Sequence, residues 1–90
     1  MPKFIIERNI PKVGHLNDAE MKGACQKSND TLAGMNHTAQ WLHSYVTNDK
    51  LYCVYIAEDE KAIREHAAKS GFPADRIETV QTIIDPASGE

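Results

Sequence analysis

Hydrophobic and polar positions change period from segment to segment along the chain, and the changes mark its elements. Residues 3–8 (Lys-Phe-Ile-Ile-Glu-Arg) are β-branched and aromatic and stop at a loop holding Pro11 and Gly14, which predicts a first strand. The period then lengthens. Met21, Ala24, Cys25, Ser28 and Leu32 recur at steps of three or four, a helix with one stripe of mostly small residues. Asn17 and Glu20 have capping-box spacing, and Leu16 and Met21 that of a hydrophobic staple. Gly34 suits the left-handed residue that ends a helix. Gly23 costs this helix up to about 1 kcal/mol relative to Ala, so the helix depends on packing.

Residues 39–47 and 50–57, rich in Trp, Tyr, Val, Ile and Leu, predict a hairpin around Asn48-Asp49. A two-residue loop sets Val46 opposite Leu51, Tyr45 opposite Tyr52, Ser44 opposite Cys53, His43 opposite Val54 and Leu42 opposite Tyr55. One face then carries Trp41, His43, Tyr45, Tyr52, Val54 and Ile56, and the other Leu42, Ser44, Val46, Leu51, Cys53 and Tyr55. A second helix, capped by Asp59, runs to Ser70 with Ala62, Ile63, His66, Ala67 and Ser70 inward, and ends at Gly71-Phe72-Pro73. Residues 76–84 alternate as a last strand. The order β-α-β-β-α-β is the split βαβ pattern of an α+β, ferredoxin-like sandwich: a four-stranded antiparallel sheet with two helices on one face. The reading gives one domain over 1–84 and a flexible tail at 85–90, where Pro, Ser and Gly leave nothing to pack.

Neither hairpin face is polar, although two helices cover only one side of a sheet. The face with Leu42, Val46, Leu51 and Cys53 is assigned to the helices, because small Ser44 and Cys53 admit the small-residue stripe. Trp41, Tyr45, Tyr52, Val54 and Ile56 are left as a patch that monomers rarely expose, for a dimer seam or a ligand pocket. Two copies packed sheet on sheet would form a dimeric α/β barrel.

Composition narrows the partners. Ninety residues, with 10 basic and 13 acidic side chains and 41% hydrophobic content, make one thin core. A net charge of −3 without a basic cluster argues against nucleic acid, and no apolar run has the length of a membrane span. The start, Met1-Pro2-Lys3-Phe4-Ile5-Ile6-Glu7, turns charged too soon for a signal peptide. Cys25 and Cys53 are too few for a disulfide framework and read as reduced thiols of a cytoplasmic protein.

The chain has no Cys-x-x-Cys, His-x-x-x-His or His-Glu-x-x-His motif and no phosphate-binding glycine loop. His43, between Trp41 and Tyr45, is the first candidate: a ligand for a divalent metal, a general base in a tyrosine-lined pocket, or an interface histidine bonded to a tyrosine. His43 and Cys53 fall on opposite faces, so one subunit cannot use both at one metal unless a bulge intervenes. His66, on the inward stripe of the second helix, reads as a buried histidine bonded to backbone or Glu65, with a metal ligand as the alternative. Cys25 and Cys53 read as small hydrophobes of the core, with a redox or metal pair as the alternative. His15 and His37 fall in loops.

Trp41-Leu42-His43-Ser44-Tyr45-Val46, Tyr52-Cys53-Val54-Tyr55-Ile56-Ala57, Ile63-Arg64-Glu65-His66-Ala67 and Gly71-Phe72-Pro73-Ala74-Asp75-Arg76-Ile77, together with Phe4-Ile5-Ile6-Glu7-Arg8, resemble a family of small bacterial proteins. Most members have no assigned activity, and one is nickel-responsive and nickel-binding. The resemblance covers roughly residues 2–84 and implies a ferredoxin-like dimer that binds nickel or another divalent transition metal, with His43, His66 and Cys53 as the ligands to test. Related sequences often carry a histidine in the first helix with an acid three residues on, where this chain has Cys25 and Ser28. Three functions follow as expectations. The first is a non-enzymatic dimeric binding protein for a metal ion or small molecule. The second is a cofactor-free monooxygenase or isomerase of the dimeric barrel kind, with His43 as base and Trp41, Tyr45 and Tyr52 shaping its pocket. The third is a structural domain whose aromatic face is only a seam.

Overall fold

The computed structural model describes residues 1–90. Its main elements are β1 (Lys3–Asn9), α1 (Asp18–Ala33), β2 (Ala39–Val46), β3 (Lys50–Ala57), α2 (Glu60–Ser70) and β4 (Arg76–Thr79), with 3₁₀ turns at Val13–His15 and Pro86–Gly89. The strands form one antiparallel sheet in the order β2-β3-β1-β4, so the two strands that precede a helix, β1 and β3, are its neighbours at the centre. This is the expected α+β arrangement. The core lies between sheet and helices and is built from Phe4 and Ile6 of β1, Cys53, Tyr55 and Ala57 of β3, and Ala62 and Ile63 of α2.

Both helices begin as their sequence punctuation requires. At α1 the Glu20 N–H donates to Asn17 Oδ1 at 2.8 Å, and the Asn17 N–H donates to Glu20 Oε1 at 3.0 Å. At α2 the Ala62 N–H donates to Asp59 Oδ1 at 3.0 Å. Their ends differ. Gly71 closes α2 with φ of 79°, the left-handed cap. Gly34 does not take that conformation; its φ is −89°, and the positive φ values near this helix end fall on Asn36 and His37, two and three residues further on.

The hairpin register agrees with the sequence from Val46–Leu51 up to His43–Val54 and then breaks. Trp41, not Leu42, stands opposite Tyr55, with a bulge between Trp41 and His43. The extra residue is Leu42. Because side chains alternate with period two, one added residue transfers what precedes it to the other face. Trp41 therefore leaves the face of His43 and Tyr45 and joins Ser44, Cys53 and Tyr55 under the helices, where its indole N–H donates to Ser44 Oγ at 2.9 Å. The expected seam loses its tryptophan, and Leu42 is exposed instead of packed. The last strand is also shorter than the alternation of residues 76–84 implies. It ends at Thr79, because β1, its only partner, begins at Lys3, whose carbonyl accepts the Val80 N–H at 2.8 Å. Ile83 and Ile84 lie beyond it, exposed.

The loop after β1 lies on the β2–β3 turn. Ile10 N–H donates to the Asp49 carbonyl at 3.0 Å, Lys12 N–H to Asp49 Oδ1 at 2.9 Å, and Gly14 N–H to the Asn48 carbonyl at 3.0 Å. A Cβ at Gly14 would strike the Thr47 carbonyl oxygen, so the approach requires glycine. This docking holds Ile10, Val13 and Leu16 against one end of the space between α1 and the sheet.

Candidate functional site

The stripe that lines this space from α1 is Met21, Ala24, Cys25 and Ser28, and the three short side chains after Met21 do not fill the gap beneath them. A cavity of about 350 Å³ remains, lined from the sheet by Ser44, Leu51, Cys53 and Tyr55, from the loop docked through Gly14 by Ile10, Val13 and Leu16, and beyond α2 by Phe72 and Pro73. Trp41 lines it from β2. Its wall is mostly apolar, and the few polar groups in it converge from separate elements.

The most unusual of them is Arg8. Phe4, Ile6 and Arg8 alternate along β1 and all point inward, which leaves Arg8 1% exposed. Its Nη1 donates to the Pro73 carbonyl at 2.9 Å, while Nη2 has no partner. The guanidinium carbon sits 6.0 Å from the centroids of both the Tyr55 and Phe72 rings, at the outer limit of cation–π attraction. None of the chain's ion pairs involves it.

Next to it runs a short polar chain. Ser28 Oγ lies 3.1 Å from His66 Nε2 and 3.4 Å from the Tyr55 hydroxyl, linking α1, α2 and β3 through one serine. His66 is 1% exposed, and its Nδ1 has no partner. Burial, reinforced by the positive charge of Arg8 and opposed by the Ser28 backbone, lowers the His66 pKa to about 4. The imidazole is therefore neutral at pH 7. Burial also raises the Tyr55 phenol above its ordinary value, against the smaller opposing effects of Ser28 and Arg8.

The residues singled out from sequence are divided by the sheet. Cys53 and His66 lie on its covered side, and Cys53 lines the cavity while His66 sits behind Ser28. His43 lies on the open face, exposed, its ring edge-on to Tyr45 with centroids 5.2 Å apart. The bulge comes before His43, so it does not bring that imidazole round to Cys53. No group of three or more His, Cys, Asp and Glu side chains comes together in the chain. Tyr45, Tyr52, Val54 and Ile56 share the open face with His43 and Ile5, and Trp41 does not. The buried bond of His66 is made to Ser28 and not to backbone or Glu65, whose carboxylate takes Lys69. Arg8 and the Ser28–Tyr55 contact were missed from sequence. The signal for Arg8 was present, since the period that buries Phe4 and Ile6 buries position 8 as well.

The sequence profile of the SCO4226-like family, described as nickel responsive proteins, matches residues 4–80. No curated protein sequence matches the chain. Among solved structures, the crystal structure of SCO4226 from Streptomyces coelicolor A3(2) superposes with a TM-score of 0.73 at 15% identity, covering 91% of this chain and 99% of that one. At that identity the likeness speaks for the fold. The profile match spans most of the sequence, and the chain belongs to the SCO4226-like family of nickel-responsive proteins.

Proposed function

We propose that the chain is a binding protein that takes a small organic molecule into the cavity between α1 and the sheet. One observation carries this reading: an apolar cavity of about 350 Å³, onto which Arg8, Ser28 and Tyr55 converge from three elements. Pockets of this size, with apolar walls and a few placed polar groups, are the usual form of small-molecule sites. The geometry favours binding over catalysis. His66 is a weak proton acceptor with no carboxylate to orient it, and His43, the base of the enzyme alternative, does not line the cavity. Trp41 is the chain's one tryptophan and lines the cavity, so its emission reports occupancy directly. Titration with 1-octanol is expected to give a saturable change in that emission, lost in Ala24→Phe, whose ring would fill the space. A linear, unsaturable response identical in the two proteins would overturn the reading.

A second reading concerns the open face and rests on a different observation. Tyr45 is 61% exposed and Ile5 40%, beside Tyr52, Ile56 and an unencumbered His43. We infer that this face is the seam of a homodimer and that nickel, the metal in the family's description, is met there by His43 from each copy. An exposed apolar patch and a pair of imidazoles related by a twofold axis support it. Sedimentation is expected to give twice the 10.0 kDa of the chain. Calorimetric titration with nickel is expected to give binding that disappears in His43→Ala while the dimer persists. A monomer, or nickel affinity unchanged by the substitution, would remove this second reading and leave the cavity untouched.

A further inference from the structure

We propose that the cavity selects an apolar monocarboxylate and that Arg8 takes its carboxylate head. The inference rests on the cavity's being a binding site and names the class of ligand. Taking an ion out of water costs several kcal/mol even after relaxation, and folded proteins normally recover the cost with a counter-ion or a full set of hydrogen bonds. Arg8 has neither. It is 1% exposed, lies in no ion pair, and spends one hydrogen bond on Pro73 while Nη2 has none.

The surroundings of the guanidinium define its missing partner. Arg8 is the one charged residue that lines the cavity; no Asp, Glu or Lys does. A cation would be repelled, and a neutral ligand would leave the charge uncompensated. The planar guanidinium presents its N–H donors as a fork that matches a carboxylate. A phosphate monoester would bring a charge of about −1.5 to −2 to a single positive group and leave a buried surplus, so a monoanion fits better. The hydroxyls of Ser28 and Tyr55 border the same space and add polar contacts near the head. Beyond them the wall is apolar: Ile10, Val13, Leu16, Met21, Leu51 and Trp41. At about 30 Å³ per water-sized group, the volume holds roughly a dozen non-hydrogen atoms, the size of a medium-chain fatty acid or an arylalkanoic acid.

The test uses the full chain and three ligands that differ only at the head: octanoate, 1-octanol and octylamine. Calorimetry and Trp41 emission are expected to show octanoate binding at least tenfold more tightly than octanol, with no measurable binding of octylamine. In Arg8→Met the octanoate affinity is expected to fall to that of octanol, while the ligand-free protein melts no lower than wild type, because the substitution removes an unpaired buried charge. Arg8→Lys, which keeps the charge and loses the fork, is expected to retain part of the preference. Equal affinity for octanoate and octanol in wild type, with both lost in Ala24→Phe, would overturn the role of Arg8 and leave the cavity as a site. No binding of any of the three would overturn both. If Arg8→Met does not fold, the ranking of the three ligands on the wild-type chain decides the matter.

Discussion

Lowering the pH from 7 to 4 is expected to cost the folded chain about 3 kcal/mol through His66 alone. In the unfolded chain the imidazole titrates near 6.5, and in the folded one near 4. Between those values the unfolded state binds more protons, so acid favours it. The contribution is intact above pH 6.5, declines as pH falls, and is fully lost once the folded imidazole itself protonates. The cause is burial in the layer between sheet and helices, with the Arg8 charge as a second source of repulsion. Urea denaturation at a series of pH values, in wild type and in His66→Gln, isolates the effect, since the carboxylates common to both proteins cancel. Glutamine keeps a polar group against Ser28 and does not titrate. The wild-type curve should fall more steeply from pH 6.5 to 4, and identical slopes would show that the histidine is not buried neutral.

Ile63→Ala is expected to destabilise the fold by roughly 2–5 kcal/mol. The buried residues of α2 are Ala62, Ile63, His66 and Ser70. Only Ile63, 1% exposed, is a large aliphatic side chain, so the docking of the helix rests on it and on the His66 imidazole, which meets Ser28 Oγ and lies against the Tyr55 ring with centroids 5.3 Å apart. In a domain whose whole stability is on the order of 5–15 kcal/mol, this loss is a large fraction. A drop in the melting midpoint of more than about 10 °C should follow. Ile63→Val, which removes one methyl group, should cost about 0.5–1.5 kcal/mol. An alanine variant that melts within a few degrees of wild type would mean that α2 is held by something other than this side chain.

The order of elements, both helix caps and the inward stripes were legible because each depends on residues close together in sequence. Asn17 and Glu20 are three positions apart and meet for that reason. The site was legible only in pieces. Ser28 and His66 could be placed on inward stripes, but their contact joins positions 38 residues apart, and nothing local specifies it. Arg8 was hidden by expectation, since an arginine near a strand end is usually solvated. The alternation of Phe4 and Ile6 outweighs that habit. The bulge at Leu42 was unreadable for a different reason. No glycine or proline marks it, and the residues on either side are as β-prone as the rest of the strand. An unbroken period of two therefore put Trp41 on the wrong side.

The bulge also marks a place where the chain can lose a residue without disturbing the wall of its cavity. Deleting the codon for residue 42 would remove a side chain that packs against little and restore plain alternation, and Trp41, already opposite Tyr55, would stay on the covered side next to an outward His43. Ala39 and Gln40 would likewise keep their partners Ala57 and Ile56, so the strand would lose one residue and the cavity wall would keep its indole. Among relatives of this fold, an aromatic is therefore matched to Trp41 by its partner on β3, because counting back from His43 misplaces it by one wherever the extra residue is absent.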